Sequence, residues 1–271
     1  MRIRWSAMLA RRNWTPAAAG LLLLFASFQS VWAAPKLSGA YRFQVTWSVF
    51  PELVLAEGEA RLSDHGDRYE LTATARARLA APPIDWRGAF AVSGVGPLGA
   101  GRPLLFKRRS RRPEAEKSVT VRWDKPGEAP QTETVVKPAG RLTERDPVNA
   151  EEVRNVVDPL SFMGAILRKV TESKGKSCDV AMTTWDGERL ARISITTVES
   201  VVGARVDCSL GYQSIQGLRK DSPWRAEEES TRRILRFERE GLRWRPKYFK
   251  ITGAFLGYDS TFTTTITPLE D

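Results

Sequence analysis

A chain of 271 residues with 42% hydrophobic and 27% charged side chains has enough apolar content to bury a core, which excludes a disordered tail. Its formal charge of +10 favours anionic partners over cationic ones. One histidine and two cysteines leave little for a histidine-based metal site or an imidazole-dependent nucleophile.

The N-terminus decides how that charge is read. Arg2, Arg4, Arg11 and Arg12 precede an apolar run from Ala17 to Phe28, and Val31-Trp32-Ala33 supplies a site that a signal peptidase reads. The run is shorter than the roughly 20 apolar residues of a permanent span. Residues 1–33 are therefore expected to be a cleaved export signal, cut after Ala33, since a cut one residue later would place Pro35 first. No cysteine directly follows the run to carry a lipid, and Arg11-Arg12 lacks the rest of the twin-arginine pattern. Removing 33 residues and four arginines leaves 238 residues with a charge of +6, expected as a single β-rich domain, 34–271, in the periplasm. With that address, nucleic acid is not an expected partner and no further membrane span is foreseen. A lipid or an anionic envelope polymer is.

Strict alternation dominates the chain beyond this signal, and a period of two marks strands with one buried face. Tyr41, Phe43, Val45, Trp47 and Val49 face one way, with Arg42, Gln44, Thr46 and Ser48 on the other. After the turn-forming Ser63 to Asp67 stretch, Tyr69 to Leu79 repeats the pattern. Further strands are predicted at Trp86 to Ser93, Leu104 to Arg109, Lys117 to Trp123, Thr132 to Val136, Val180 to Thr184, Leu190 to Val198, Arg205 to Tyr212, Arg233 to Arg239, Tyr248 to Gly253 and Thr261 to Ile266. The basic run Lys107, Arg108, Arg109, Arg111 and Arg112 falls in a predicted hairpin insertion at about 104–123, expected to project with charge on both faces as an anionic-surface contact. An edge strand that resists aggregation explains the same residues.

One segment breaks the rhythm. Asp158-Pro159 is a helix start, because the aspartate caps orphan amides and proline suits the first turn. Leu160, Met163, Ile166, Leu167 and Val170 then recur at helical spacing, with Arg168-Lys169 near the negative end of the dipole. The expectation is a mainly β fold: a strongly curved antiparallel sheet, half-barrel to barrel-like, with an amphipathic helix at about 159–170 on its concave side. Asp186-Gly187 suits a two-residue hairpin. Cys178 and Cys208 are a candidate disulfide in an oxidising compartment. A simple meander, however, would set them on either side of one strand, about 9 to 10 Å apart. Cys178 must then lie before its strand and fold across, or the pair stays reduced.

Val156-Val157-Asp158-Pro159-Leu160-Ser161, then Cys178 with Trp185-Asp186-Gly187-Glu188-Arg189, then Cys208-Ser209-Leu210-Gly211-Tyr212 with Ile215-Gln216-Gly217, resemble the bacterial exported family of domain of unknown function 3108. The resemblance implies export and a β-rich fold. It transfers no catalytic residue, since these motifs are caps and turns.

Other patterns have structural explanations. Gly94 to Gly99 spells a dinucleotide-binding pattern, but Pro97 and Pro103 forbid the helix that would hold a pyrophosphate. No Gly-x-Ser-x-Gly elbow exists for the lone His65 to serve. Paired carboxylates such as Glu57 and Glu59, or Glu227 to Glu229, leave a carboxylate-based envelope hydrolase as one alternative. A scaffold without a ligand is another. No catalytic residue, metal or cofactor is expected. The leading expectation is a non-enzymatic protein that shelters a lipid or other apolar ligand in its concave sheet, touched by Phe43, Trp47, Leu160, Met163 and Leu167. Such an architecture is similar to lipoprotein-carrier half-barrels, an analogy of fold. Trp86, Trp123, Trp185, Trp224 and Trp244 are further aromatics for a groove or a core.

Overall fold

The computed structural model describes residues 37–79, 84–138, 145–218, 231–255 and 258–269; the expected export signal lies outside them. The strands are β1 (Gly39–Trp47), β2 (Phe50–Asp64), β3 (Arg68–Leu79), β4 (Ile84–Val95), β5 (Arg102–Arg112), β6 (Ala115–Arg122), β7 (Gln131–Lys137), β8 (Val180–Trp185), β9 (Leu190–Val201), β10 (Arg205–Gln216), β11 (Arg232–Glu240), β12 (Arg243–Phe255) and β13 (Tyr258–Leu269). One helix, α1 (Pro159–Glu172), separates β7 from β8 among the described residues.

All these strands belong to one antiparallel sheet in the order β7-β6-β5-β4-β3-β2-β1-β13-β12-β11-β10-β9-β8. Neighbours in space are neighbours in sequence except β1 and β13, which pair from Ala40↔Leu269 to Trp47↔Phe262 and join two meanders. The chain thus leaves from the middle of the sheet, reaches one edge at β7, crosses through α1 and returns from the other edge at β8. In a flat sheet these edges would stand nearly 60 Å apart at about 4.8 Å per strand. Here they meet. Trp185 Nε1 at the end of β8 donates to Thr132 Oγ1 on β7 at 3.2 Å, and Gly187 lies against Val119 and Val121 of β6. The sheet is curled but not closed. The outer edge of β8 is instead covered by Val157, whose N–H donates to Thr183 O at 3.2 Å and whose carbonyl accepts from Trp185 N at 2.8 Å.

Register builds the core inside this curl. Leu62, Leu71, Val92, Phe106 and Val121 face one another across β2 to β6, and all five are buried. Strand β2 is absent from the predicted strands, and it carries Pro51 and Gly58, residues that weaken a strand pattern. Gly58 is there for a close approach: a Cβ would stand 2.4 Å from the Phe43 ring and 2.0 Å from Thr74 O.

Helix α1 starts where expected and runs two residues beyond the predicted end. Asp158 Oδ1 accepts from Leu160 N and Ser161 N at 2.9 Å each, and its Oδ2 accepts from Ser161 Oγ at 2.5 Å. Tyr69 Oη meets Ser161 Oγ at 2.9 Å, tying β3 to the helix start. Phe162, Ile166 and Val170 are fully buried, while Gly164 receives Leu98 from the β4–β5 loop. The Gly94 to Gly99 pattern starts on the last two residues of β4 and runs into that loop, and β5 rather than a helix follows it. Arg168 departs from its expected place at the helix end. It is buried, donates to Leu98 O and pairs with Asp64 at 3.2 Å, because the loop and the end of β2 close over it.

Candidate functional site

The curl leaves an apolar cleft of about 330 Å³ between α1 and the inner face of the sheet. Its origin is legible in the ladder. Two inward rows, Tyr41↔Ala60↔Ala73 and Phe43↔Gly58↔Ala75, place small residues on β2 and β3 where the core row beside them carries leucine. Phe237 and Phe249 close the far side, and Leu160, Met163 and Leu167 form the helical wall. These three lie at i, i+3 and i+7, beside the stripe of Phe162 and Ile166 that packs into the core. Met163 is 39% exposed although every neighbour in the lining is apolar or uncharged except Arg61. The volume sits at the small end of the roughly 300–1,000 Å³ of ligand pockets.

Four of the five residues expected at a ligand, Phe43, Leu160, Met163 and Leu167, are brought together in this lining. Trp47 is not in it. The β1–β13 ladder stays in register through Val45↔Thr264 and Trp47↔Phe262, so Trp47 keeps the side of Tyr41, Phe43 and Val45 but stands farther along β1, outside the cleft lining, where β2 shifts register beside it. It stacks on Phe262 with ring centroids 5.7 Å apart and meets Phe50 edge-on at 5.6 Å. Sequence reasoning missed Phe237 and Phe249, which come from strands more than 180 residues beyond Phe43. Of the tryptophans, Trp123, Trp185 and Trp244 are core residues and Trp86 is half-buried. Trp224 lies outside the described residues.

At one end of the cleft stands Tyr41. Burial raises its hydroxyl above the ordinary value of 10.0, and Arg245 and Arg243 oppose that rise. Leu167 and Tyr41 continue into a small depression of about 100 Å³ that also holds Arg243 and Arg245. Arg61 and Leu62 continue into another of about 630 Å³, which Arg243 also borders.

The basic hairpin is β5 with β6, and it does not project free of the body as expected. Lys107, Arg109 and Arg111 line its outer face and Arg112 is exposed at the strand end, whereas Arg108 is half-buried on the inner row that follows Phe106. Arg108 Nη1 pairs with Asp186 Oδ2 at 2.9 Å, and its Nη2 with Glu188. Lys117 and Arg145 converge on the same Glu188, the latter at 3.4 Å. Burial raises the carboxyl of Glu188, but the hydrogen bond from Lys117 and the charges of Arg108 and Arg145 outweigh it and leave it below its ordinary 4.5. Asp186 is lowered in the same way, burial being outweighed by Arg108 and Arg189. The Asp186 to Arg189 connection is a four-residue loop rather than a two-residue turn. Asp186 Oδ1 accepts from Glu188 N at 2.9 Å and Arg189 N at 2.7 Å, and Gly187 takes the positive φ of 86°.

Cys178 and Cys208 are bonded, with Cα atoms 6.3 Å apart. Of the two arrangements open to a meander, the chain adopts the one in which Cys178 precedes its strand: β8 begins at Val180. The Cys178 N–H donates to Thr197 Oγ1 at 3.0 Å, and Thr197 is the β9 residue opposite Cys208. A bulge at that point, between the pairs Asp207↔Glu199 and Cys208↔Thr197, bends β9 and lets the thiols meet across it.

The alternative carboxylate pair is committed elsewhere. Glu57 pairs with Arg76 and Glu59 with Arg42 at 3.3 Å on the outer face of the sheet, away from the cleft. Glu227 to Glu229 lie outside the described residues. His65 is exposed in the β2–β3 turn. Among the described residues no helix is long and apolar enough to cross a membrane.

No family model matches this chain and no curated protein does, so the resemblance to domain of unknown function 3108 finds no support in a family match. Among solved structures the chain is similar to a β-barrel-like protein of domain of unknown function 1849 from Brucella abortus, with 8% identity and a TM-score of 0.46. The likeness spans 88% of this chain and 100% of that one. At that level it carries neither a ligand nor an activity across.

Proposed function

We propose that this protein is an exported, non-enzymatic binder of an apolar chain, such as the acyl tail of an envelope lipid, held between α1 and the inner face of the curled sheet. The observation that carries this reading is the cleft of about 330 Å³, walled by Leu160, Met163 and Leu167 on one side and Phe43, Phe237 and Phe249 on the other. Apolar surface left open in an otherwise packed interior gains by excluding water, at about 25 cal/mol per Å² buried. Export to the periplasm is part of the proposal. It is supported by the Cys178–Cys208 bond, which belongs in an oxidising compartment, and by the pattern of residues 1–33. Kinship with domain of unknown function 3108 rests on the short motifs at Val156 to Ser161 and Trp185 to Arg189.

The test is native mass spectrometry of the protein purified from the periplasm, followed by organic extraction of any bound lipid. Met163→Trp fills the cleft from the helix without touching Ile166 or Val170, and is expected to abolish retention of an acyl lipid while leaving thermal unfolding within a few degrees. Equal retention by this variant and the parent protein overturns the reading.

A second contact has its own support. Arg76, Arg87 and Arg111 stand side by side in register across β3, β4 and β5, and like charges directly opposite repel. Only Arg76 of the three makes an ion pair among the described residues, while Arg111 stands opposite Glu116 on β6. With Lys107 and Arg109 they form an outer face suited to anionic lipid headgroups, and Arg112 extends it at the strand end. Flotation with vesicles containing phosphatidylglycerol, compared with vesicles of phosphatidylcholine alone, measures it. Equal flotation of Arg87→Gln/Arg111→Gln and the parent protein removes this contact.

A further inference from the structure

Large apolar side chains are concentrated at one exposed point of the sheet. Val49, Phe50, Leu53 and Val54, at the turn from β1 to β2, are 46%, 49%, 45% and 38% exposed. Every residue from Ser48 to Val54 is exposed, so this hairpin tip stands clear of the body on both of its faces. Antiparallel neighbours alternate in direction, so the turns β1–β2, β3–β4, β5–β6 and β12–β13 share one end of the sheet, while β2–β3 and β4–β5 turn at the other. Helix α1 is fastened at that other end, with Ser161 on Tyr69, Arg168 on Asp64 and Gly164 on Leu98. In the opposite direction, rows of the β1–β13 ladder lead from the cleft to the tip. Phe43 with Ile266 comes first and Val45 with Thr264 next, and of these Phe43, Ile266 and Thr264 line the cleft. Trp47 stacked on Phe262 follows, and Phe50 meets Trp47 edge-on. Beside the first two rows β2 carries Gly58 and Ala56, so it sets no bulky side chain across this path. Charge at this end is mixed, with Arg111 and Arg112 against Glu52 and Glu114, all exposed.

We propose that the β1–β2 tip docks into the surface of a lipid bilayer, and that the cleft takes its chain from that bilayer past Trp47 and Phe262. This rests on the apolar-chain reading above and adds the partner surface and the way in. A contiguous exposed apolar patch marks a contact, and this one continues the path out of the cleft. A chain that passes from lipid to protein along such a path is never wholly surrounded by water, which keeps the gain of burial throughout the transfer. The dimensions suit the contact. Three residues on each strand of the tip reach about 10 Å, and interfacial anchors bury about 5–10 Å into the boundary between head groups and acyl chains. Trp47 then stands at the base of the tip, at the depth where tryptophan is favoured. Because charge at this end is mixed, apolar burial rather than attraction to anions drives the insertion.

Both native cysteines are bonded to each other, so one introduced cysteine is the single thiol to label. Val49→Cys, and His65→Cys at the opposite end, are labelled with nitrobenzoxadiazole and mixed with phosphatidylcholine vesicles brominated on the acyl chains. The neutral lipid separates this contact from the anionic head-group contact of the outer face. The Val49→Cys label is expected to shift to the blue and be quenched by bromine, and the His65→Cys label to do neither. Val49→Ser/Leu53→Ser, both exposed positions, is expected to lower vesicle partition and the uptake of a pyrene-labelled phospholipid from vesicles at least about tenfold, through the loss of two apolar side chains from lipid. Binding of dodecanoate from free solution is expected to stay unchanged in that variant. A Val49→Cys label that remains in water overturns the docking, and so do labels at both ends that shift alike. A blue shift without vesicles, with a doubled mass on sizing, overturns it in favour of a second copy of the chain. Undiminished uptake by the serine variant overturns the way in. In each of these cases the cleft stands as long as dodecanoate binds. Docking without dodecanoate binding overturns the apolar-chain reading, and the way in with it.

Discussion

Arg168 and Asp64 form an ion pair of 3.2 Å between the helix and the end of β2, and both side chains are almost wholly withdrawn from water. The pair closes the sheet onto α1 at the point where Asp64 also accepts from Leu37 N at 3.3 Å and Gly66 N at 3.0 Å. Two buried charges are tolerable only as partners, since each alone would keep its full desolvation penalty.

Arg168→Met is therefore expected to destabilise the protein by about 3–5 kcal/mol, the cost of leaving a buried carboxylate uncompensated. Urea unfolding followed by tryptophan fluorescence measures it. A loss of less than about 1 kcal/mol, typical of exposed pairs, would mean that Asp64 is solvated after all.

The disulfide closes a loop of 30 residues, joining the segment just before β8 to β10. Cys178→Ala/Cys208→Ala is expected to cost about 3–4 kcal/mol, because the unfolded chain regains the entropy that the cross-link removes. The denaturation midpoint with and without a reductant gives the same difference in the unsubstituted protein. No shift on reduction would contradict the bond.

The cluster around Glu188 makes stability depend on acid. Its carboxyl and that of Asp186 titrate below their ordinary values of 4.5 and 3.8, so the unfolded chain binds the proton more readily than the folded one. Their contribution is complete above the ordinary carboxylate range and is lost as pH falls through the lowered folded values. Melting temperatures across pH 7 to pH 3 are expected to fall at the acid end. Glu188→Gln is expected to show a shallower fall, and an unchanged slope would remove Glu188 from the account.

The seat of the helix on the β4–β5 loop is tight. At Gly99, whose φ is 78°, a Cβ would stand 2.6 Å from the Cα of Ala165, so backbone conformation and backbone contact both forbid it. Gly99→Ala is expected to lower stability by about 2 kcal/mol or more through strain and overpacking. Gly66→Ala, also at positive φ but with open space around it, is expected to lose less. Equal losses in thermal unfolding would show that the helix yields.

Strands with a leucine, valine or aromatic at every second position are readable along the chain, and so is α1 with its aspartate cap. Each depends on a period and a cap within a few residues, which local chemistry sets. Strand β2 escapes that logic because its inward positions are Gly58 and Ala60, small for the sake of Phe43 and the cleft. The same rule hides the inward turn of Arg108. Nothing in a row of cations tells which one will meet Glu188, 80 residues later.

The β class, the helix and its apolar stripe follow from residues read in order, since hydrophobic periodicity and capping act over one or two turns of chain. The pairing of β1 with β13, the curl that brings β8 onto β6 and β7, and the meeting of Met163 with Phe237 across the cleft belong to the tertiary structure. They join residues tens to hundreds of positions apart, where the choice among antiparallel partners depends on which inward side chains fill the shared interior.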